Sequence, residues 1–328
     1  MTMTSIVVTR RLPSALLTKI LARPSTILHY HDSNDAISSQ KLLELCSKDG
    51  GASAIICTLS DPINQAVVQA CLGKLKVVST MSVGYSHLDT KVLRENNVRV
   101  GNTPGVLTNA TADLVLALTL STARRITEAA NAAKVGEWKA WEPFWMTGKE
   151  LYGARVGIVG LGRIGESIVK RLRGFDCVIS YTGKSGPKEE LDRSLGTKWV
   201  TSDELYSTSD FVIVICALTP ETRRMVNYES FSKMKDDVVF INASRGEVVD
   251  QEALVRILKE RPQMRAGLDV TDPEPLPLDH SLLHTNQCIV LPHIGSATDS
   301  CRSQMAEMTI DNALAALDDS SMPAEVKL

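Results

Sequence analysis

Short apolar runs alternate with amphipathic segments along almost the whole chain. Residues 54–58 and 211–216 are nearly continuous apolar runs, which favour strands buried on both faces of a parallel sheet. The segments between such runs have the composition and spacing of helices. Because strands and helices alternate in this way, the sequence predicts an α/β fold built on parallel sheets.

The predicted elements form two series. In the first series, strands are predicted at residues 6–9, 27–30, 54–58, 77–80 and 99–100, with helices at 14–22 (capped by Ser14), 39–46 and 64–70. In the second series, strands are predicted at 156–159, 178–181, 198–200, 211–216, 238–242, 266–270 and 288–291. A single long helix is predicted over 108–133 and another over 296–317. The second series already fills a dinucleotide-binding sheet, so the last helix is assigned to the first domain, which becomes discontinuous.

The run of residues 155–159 leads directly into the hexapeptide Gly160-Leu161-Gly162-Arg163-Ile164-Gly165. An apolar strand followed by G-x-G-x-x-G and a helical segment is the fingerprint of dinucleotide binding. Gly160 allows a tight turn, Gly162 lets the backbone approach a pyrophosphate, and Gly165 lets helix and strand pack closely. The sequence therefore predicts a nicotinamide-type coenzyme on the second sheet.

The turn after the next strand indicates which coenzyme is used. A carboxylate at this place accepts hydrogen bonds from the adenosine ribose and repels a 2′-phosphate. The turn here is Thr182-Gly183-Lys184-Ser185, with a cation and hydroxyls but no carboxylate. It favours NADP(H), with NAD(H) still possible.

Three strands of the second series end in polar residues. Arg245 follows the strand at 238–242, Glu274 follows 266–270, and His293 follows 288–291. Ligands of open α/β sheets bind at the carboxyl ends of the strands, so these side chains are expected around one crevice. Arg can bind a carboxylate, His can donate a proton near neutral pH, and a carboxylate beside that His stabilises its charged form. This set suits the reduction of a 2-oxo acid.

Composition excludes several other classes of function. The net charge of -2 provides no basic field for nucleic acid, and no apolar run is long enough to span a bilayer. The seven cysteines are scattered without a C-x-x-C pair, which is typical of reduced thiols in a cytoplasmic protein. We expect no metal site, no nucleic acid and no membrane partner.

The chain resembles the D-isomer-specific 2-hydroxyacid dehydrogenases over nearly its whole length. The resemblance rests on G-L-G-R-I-G, on N-A-S-R-G at 242–246, on G-L-D-V at 267–270 with E-P at 274–275, and on P-H-I-G-S-A-T at 292–298. Residues 79–84, 155–165, 181–184 and 138–148 are most similar to the glyoxylate/hydroxypyruvate reductase branch. The resemblance implies NADPH-dependent reduction of glyoxylate to glycolate and of hydroxypyruvate to D-glycerate.

The same resemblance implies the architecture: two Rossmann-like doubly wound parallel-sheet domains with the active site in the cleft between them. Residues 1–106 and 297–328 would form a flavodoxin-like substrate-binding domain, and 107–296 the dinucleotide-binding Rossmann domain. The family is usually dimeric through the cofactor domain, so we expect a homodimer with 108–148 in the interface.

Roles of single residues also follow from the resemblance. Arg245 would bind the substrate, His293 would donate the proton, and Glu274 would pair with it. Substrate contacts are also implied for Val83, Gly84, Asp269 and Trp141. Asp269 would in addition lie near the nicotinamide, and Trp141 would reach towards the active site of the partner subunit. Coenzyme contacts are implied for Gly160, Gly162, Arg163, Ile164, Gly165, Thr182, Gly183, Lys184, Ser185, Ala217, Ala243 and Gly295.

Two alternatives stay open. Another D-2-hydroxyacid dehydrogenase, such as the phosphoglycerate type, has the same fold and chemistry. A dinucleotide-sensing corepressor of this fold can retain all three polar residues without being an enzyme. Turnover of small 2-oxo acids separates the two classes.

Overall fold

The computed structural model describes residues 3–328. The chain forms two compact units, one made of Met1–Leu107 and Thr298–Leu328 and the other of Thr108–Ala297. The sequence placed the two boundaries after residues 106 and 296. Each unit contains one sheet with helices on its faces.

The first unit contains a six-stranded sheet. Its elements are β1 (Thr4–Val8), α1 (Ser14–Leu21), β2 (Thr26–Tyr30), α2 (Ser39–Ser47), β3 (Ala54–Cys57), α3 (Gln65–Ala70), β4 (Val77–Thr80), α4 (Thr90–Glu95), β5 (Arg99–Gly101), α12 (Asp299–Leu317) and β13 (Glu325–Val326). The strand order is β2-β1-β3-β4-β5-β13. All strand pairs are parallel except the antiparallel pair of β13 and β5. The central strands β3 and β4 are wholly buried, as their apolar sequences predict.

The last helix packs on the first sheet, against β3, β4 and β5. Its buried Asn312 donates from Nδ2 to the carbonyl of Asn102 (2.9 Å) and accepts from the N–H of Ala324 (2.8 Å). A side chain at Gly101 would bring its Cβ to 2.7 Å from Asn312, so the close approach of α12 to β5 requires glycine there. These contacts explain why the C-terminal segment belongs to the first unit.

The second unit contains a seven-stranded, fully parallel sheet. Its elements are α5 (Thr108–Ala123), α6 (Ile126–Lys134), β6 (Arg155–Val159), α7 (Arg163–Leu172), β7 (Val178–Thr182), α8 (Glu189–Leu195), β8 (Thr197–Trp199), α9 (Ser202–Thr208), β9 (Phe211–Val214), α10 (Tyr228–Lys233), β10 (Val239–Asn242), α11 (Gln251–Glu260), β11 (Arg265–Leu268) and β12 (Cys288–Val290). The strand order is β8-β7-β6-β9-β10-β11-β12. The order reverses between β6 and β9, and such a switch point is where dinucleotides bind.

The single helix predicted over 108–133 is wrong. The segment forms two helices, α5 and α6, and Arg125 between them has a left-handed backbone (φ 55°). The carbonyl of Ala123 accepts the N–H of Lys149 (2.9 Å) instead of continuing the helix. Arg125 also binds both carboxylate oxygens of Glu128 in the first turn of α6. No glycine or proline marks this break, so helix propensity alone does not reveal it.

Other helix ends also differ from the prediction. Pro13, and not Ser14, is the N-cap of α1, and its carbonyl accepts the N–H groups of Leu16 and Leu17. The last helix begins at Asp299, because the side chain of Thr298 caps it by accepting the N–H of Cys301 (3.2 Å). The short elements α4 and β13 were not predicted at all.

Within residues 3–328, no helix has the length and apolarity needed to cross a membrane. All seven cysteines are free thiols, four of them buried and three partly buried.

Candidate active site

The three polar residues predicted at the strand ends all lie in the second unit, in the loops after β10, β11 and β12. Nδ1 of His293 lies 2.9 Å from Oε2 of Glu274. This contact leaves Nε2 as the ring nitrogen available for proton transfer. The side chain of His293 is 22% exposed, so the ring can be reached by a small molecule.

The backbone of His293 is held by Asp269. The carbonyl of Asp269 accepts the N–H of His293 (2.9 Å), and its carboxylate accepts the N–H groups of Ile294 (2.8 Å) and Gly295 (2.9 Å). His293 itself has a left-handed backbone (φ 52°), which is uncommon for a residue with a side chain. Burial raises the pKa of Asp269, while the two N–H donors and the His293 charge oppose this shift. Through these backbone hydrogen bonds, Asp269 fixes the position of His293.

Glu274 lies beside the histidine, with 31% of its side chain exposed. Burial by itself raises its pKa, but the hydrogen bond and charge of His293, the N–H of Thr271 and the Arg245 charge outweigh burial, and the pKa is lowered overall. The carboxylate is therefore ionised at neutral pH and stabilises a protonated imidazole. Oε1 of Glu274 accepts the N–H of Thr271 (3.1 Å), which fixes the orientation of the carboxylate.

Gln251 holds the loop that carries Glu274, and sequence reasoning missed it. Its amide donates to the carbonyl of Asp272 (2.9 Å) and accepts the N–H of the same residue (3.1 Å). Gln251 is the first residue of α11, far from Glu274 in the sequence. Nothing in the sequence pattern links the two, so only the tertiary structure reveals this contact.

Arg245 lies in the turn after β10 and is partly buried, with Nη1 donating to the carbonyl of Ser244 (2.6 Å). Burial lowers its pKa while Glu274 and Glu247 raise it, and a guanidinium remains charged at neutral pH in any case. The turn is held by Asn242, whose amide donates to the carbonyl of Arg245 (3.0 Å) and accepts from the N–H (3.1 Å) and Oγ (2.8 Å) of Ser244. Asn242 is fully buried. The sequence feature that could have identified its role is a polar residue at the end of an apolar strand.

The glycines of the fingerprint have the geometry that a dinucleotide requires. A Cβ at Gly160 (φ 103°) would lie 2.8 Å from Cys216, and a Cβ at Gly165 would lie 2.5 Å from the carbonyl oxygen of Gly160. A Cβ at Gly162, in contrast, would meet nothing within 4 Å. Gly162 is the N-cap of the ten-residue helix α7 and provides no side-chain cap. Gly160 and Gly165 thus pack closely against neighbouring atoms, whereas Gly162 leaves space at the N-terminus of α7. This arrangement suits a pyrophosphate.

The other predicted coenzyme residues lie along the same edge of the sheet. Thr182 is the last residue of β7, and its carbonyl accepts the N–H of Gly160 (2.9 Å). Lys184 is 86% exposed and its Nζ lies 3.8 Å from Oε1 of Glu221. The remaining residues follow the strand ends: Arg163 and Ile164 after β6, Gly183 and Ser185 after β7, Ala217 after β9, Ala243 after β10 and Gly295 after β12.

Val83 and Gly84 lie in the first unit, in the loop after β4. The side chain of Asn102 donates to the carbonyl of Val83 (2.9 Å), and Oγ of Ser82 donates to the carbonyl of Gly84 (2.7 Å). These contacts hold both peptide groups in place, although Ser82 and Asn102 were not among the predicted site residues. A role of Val83 and Gly84 in binding substrate stays a prediction.

Several known proteins are similar to this chain in sequence and in fold. Residues 116–295 match the NAD binding domain of the D-isomer specific 2-hydroxyacid dehydrogenases. The glyoxylate reductase/hydroxypyruvate reductase of Homo sapiens is 42% identical, over 98% of this chain and 97% of its own. A Thermus thermophilus protein of known structure is 39% identical with a TM-score of 0.89, over 99% of this chain and 100% of its own.

A second solved structure has both coenzyme and ligand bound. It is an NADPH-dependent glyoxylate/hydroxypyruvate reductase from Sinorhizobium meliloti, in complex with NADP and malonate. It is 28% identical with a TM-score of 0.82, over 98% of this chain and 96% of its own. Since the family match covers more than half of the chain and the relatives span nearly all of it, the protein is an oxidoreductase that belongs to the D-isomer-specific 2-hydroxyacid dehydrogenase family.

Proposed function

We propose that this protein reduces glyoxylate to glycolate and hydroxypyruvate to D-glycerate, with NADPH as the preferred hydride donor. The observation that carries the proposal is the His293–Glu274 pair at 2.9 Å, at the same sheet edge as Arg245 and the fingerprint turn. The human and Sinorhizobium meliloti relatives, both named as reductases of these two acids, support the choice of substrate.

Arg245 binds the carboxylate and the carbonyl oxygen of the 2-oxo acid. A guanidinium presents several donors in one plane, which matches two oxygens of the substrate at once. Its partly buried position strengthens this attraction, since the local dielectric constant is lower than that of water. The Asn242 contacts hold the backbone of Arg245 before substrate arrives, so little ordering remains to be done on binding.

His293 donates the proton that the carbonyl oxygen takes up. The bound coenzyme supplies the hydride to the carbonyl carbon. Glu274 fixes the ring through Nδ1, so that Nε2 faces the reacting group, and its negative charge favours a positive charge on the imidazole. Asp269 holds the His293 backbone and thereby sets the position of the ring.

The NADPH preference rests on the turn after β7. The turn at 182–185 has two hydroxyl side chains and one lysine and lacks the carboxylate that disfavours a 2′-phosphate. The Sinorhizobium meliloti relative is named as NADPH-dependent, which agrees with this preference.

The experiment that tests the proposal measures the oxidation of NADPH and NADH with each acid. We expect turnover of both acids with NADPH and a lower kcat/KM with NADH. The variant His293→Asn, which preserves approximate size, is expected to lose most turnover while it still binds NADPH. Absence of turnover with both acids but activity on phosphohydroxypyruvate would favour the phosphoglycerate type.

We also propose that the protein is a homodimer through residues 108–148 of the cofactor domain and acts in the cytoplasm. Support for the dimer comes from Trp138, Trp141 and Phe144, whose exposed fractions are 64%, 82% and 87%. Large apolar side chains exposed together are typical of an interface. Light scattering of the wild type and of Trp141→Ala measures the oligomeric state, and a monomeric wild type would contradict the proposal.

A further inference from the structure

A lysine that sequence reasoning missed lies against the fingerprint turn. Nζ of Lys188 donates a hydrogen bond to the carbonyl oxygen of Leu161, the residue between the first two glycines. Lys188 is partly buried, while most lysines on such a loop are solvated. A cation is thereby held beside the loop that receives the coenzyme phosphates.

The backbone of Lys188 is anchored as well. Its N–H donates to the hydroxyl of Tyr181 (2.7 Å), and Tyr181 is a fully buried residue of β7. The loop between β7 and α8 is therefore attached to the sheet through Tyr181 and to the fingerprint turn through the Lys188 side chain. The position of this ammonium group is set before any ligand binds, which reduces the entropy lost on binding.

Lys184, the cation that the sequence pattern suggested, is placed differently. It is 86% exposed, and its nearest charged group is the carboxylate of Glu221 at 3.8 Å. Oγ1 of Thr219 donates to Glu221 (2.6 Å), and this bond, together with the charge of Lys184, lowers the pKa of Glu221. A neighbouring anion partly cancels the attraction of Lys184 for a phosphate.

We propose that Lys188 is the main cation for the 2′-phosphate of NADPH, and that Glu221 weakens the contribution of Lys184. The proposal rests on the proposed function, since it explains how the coenzyme preference arises. An ammonium group has three N–H donors. One is used by the Leu161 carbonyl, and two remain for phosphate oxygens at the turn where β6 and β7 end.

Binding of coenzyme fragments tests the proposal without any turnover. The ligands are 2′,5′-ADP, which has a 2′-phosphate and one 5′-phosphate, and 5′-AMP, which has the same 5′-phosphate and no 2′-phosphate. Titration calorimetry measures both Kd values for the wild type, Lys188→Met, Lys184→Met, Glu221→Gln and Lys188→Arg. Unfolding curves of each variant check that the fold is retained.

We expect Lys188→Met to weaken 2′,5′-ADP binding about tenfold to a hundredfold, the range for losing a charge-assisted hydrogen bond, and to leave 5′-AMP binding nearly unchanged. Lys184→Met is expected to weaken 2′,5′-ADP less, by about threefold, because Glu221 already offsets its charge. Glu221→Gln is expected to tighten 2′,5′-ADP binding by a similar small factor. Lys188→Arg should restore most of the loss, since it retains the positive charge.

Four outcomes would overturn the proposal. Equal loss of affinity for both ligands in Lys188→Met would place Lys188 at the 5′-phosphate or make it only a support of the turn. A larger loss in Lys184→Met than in Lys188→Met would assign the 2′-phosphate to Lys184. If wild type binds the two ligands equally, the NADPH preference itself fails. If wild type prefers 2′,5′-ADP and Lys188→Met keeps that preference, only the Lys188 assignment fails.

Discussion

At the scale of single residues, a few polar contacts hold the candidate site of the second unit. His293 is held through its side chain by Glu274 and through its backbone by Asp269. Buried polar groups are strongly stabilised only when their partners are in place, so such a set acts as a unit. Substituting one residue of this set is therefore expected to change how another residue of the set behaves.

Glu274→Gln is expected to change the pH dependence of reduction. The lowered pKa of Glu274 means that the carboxylate is ionised throughout the neutral range. Glutamine preserves the hydrogen bond to Nδ1 but removes the negative charge that stabilises the protonated imidazole. In the proposed mechanism reduction needs that protonated form, so the fall of kcat/KM on the alkaline side is expected at a lower pH in the variant than in the wild type.

The measurement is kcat/KM for hydroxypyruvate from about pH 5 to about pH 9, the range in which histidine titrates. A matched control is Glu247→Gln, a nearby acid that makes no hydrogen bond to His293, and its profile should follow that of the wild type. Superimposable profiles for Glu274→Gln and wild type would show that the two groups are not coupled.

At the scale of elements, loops at the carboxyl ends of parallel strands carry the polar side chains of the candidate site. In the first unit, Asp61 after β3 is fully buried, and its carboxylate accepts from Arg10 (3.3 Å), Thr9 (2.6 Å) and the N–H and hydroxyl of Thr58. This network joins the ends of β1 and β3, next to the switch point of that sheet. It holds the two loops in one arrangement.

Arg10→Met is expected to destabilise the protein by about 3 kcal/mol, because it leaves the buried carboxylate of Asp61 without its cation. The neighbouring Arg11 provides a matched control. Its pair with Asp32 (2.7 Å) is exposed on both sides, so Arg11→Met is expected to have a much smaller effect. Urea unfolding followed by circular dichroism measures both free energies of unfolding. Equal effects of the two substitutions would mean that the Arg10 network contributes no more than a surface ion pair.

At the scale of the whole molecule, the chain divides into two units, and the predicted coenzyme residues all lie in one of them. A ligand that binds only the native state stabilises it by about 2.7 kcal/mol at a concentration about one hundred times its Kd. That stabilisation slows amide exchange most in the segments that contact the ligand.

NADPH without substrate is therefore expected to slow amide hydrogen exchange mainly in the second unit. The largest effect should occur at residues 160–165 and 182–188, and the strands β1 to β5 should change little. Hydrogen exchange followed by mass spectrometry, with and without NADPH, measures this directly. Slowing of similar size in both units would contradict the assignment of coenzyme binding to the second unit alone.

Local sequence determined much of this protein. Buried strands of parallel sheets are apolar on both faces, so β3, β4, β6, β9 and β10 were visible as short apolar runs. The residues that end such strands share one edge of a sheet, and this rule alone grouped Arg245, Glu274 and His293. The fingerprint was equally visible, because its glycines directly follow an apolar strand and local steric contacts require glycine at Gly160 and Gly165.

Tertiary structure decided what depends on residues far apart in the sequence. The break at Arg125 depends on the N–H of Lys149, the loop of Glu274 depends on Gln251, and the position of Lys188 depends on Leu161. In each case a backbone group is satisfied by a partner from another element. A hydrogen bond of this kind leaves no periodic pattern in the sequence, since its partners meet only after the sheets and helices have packed.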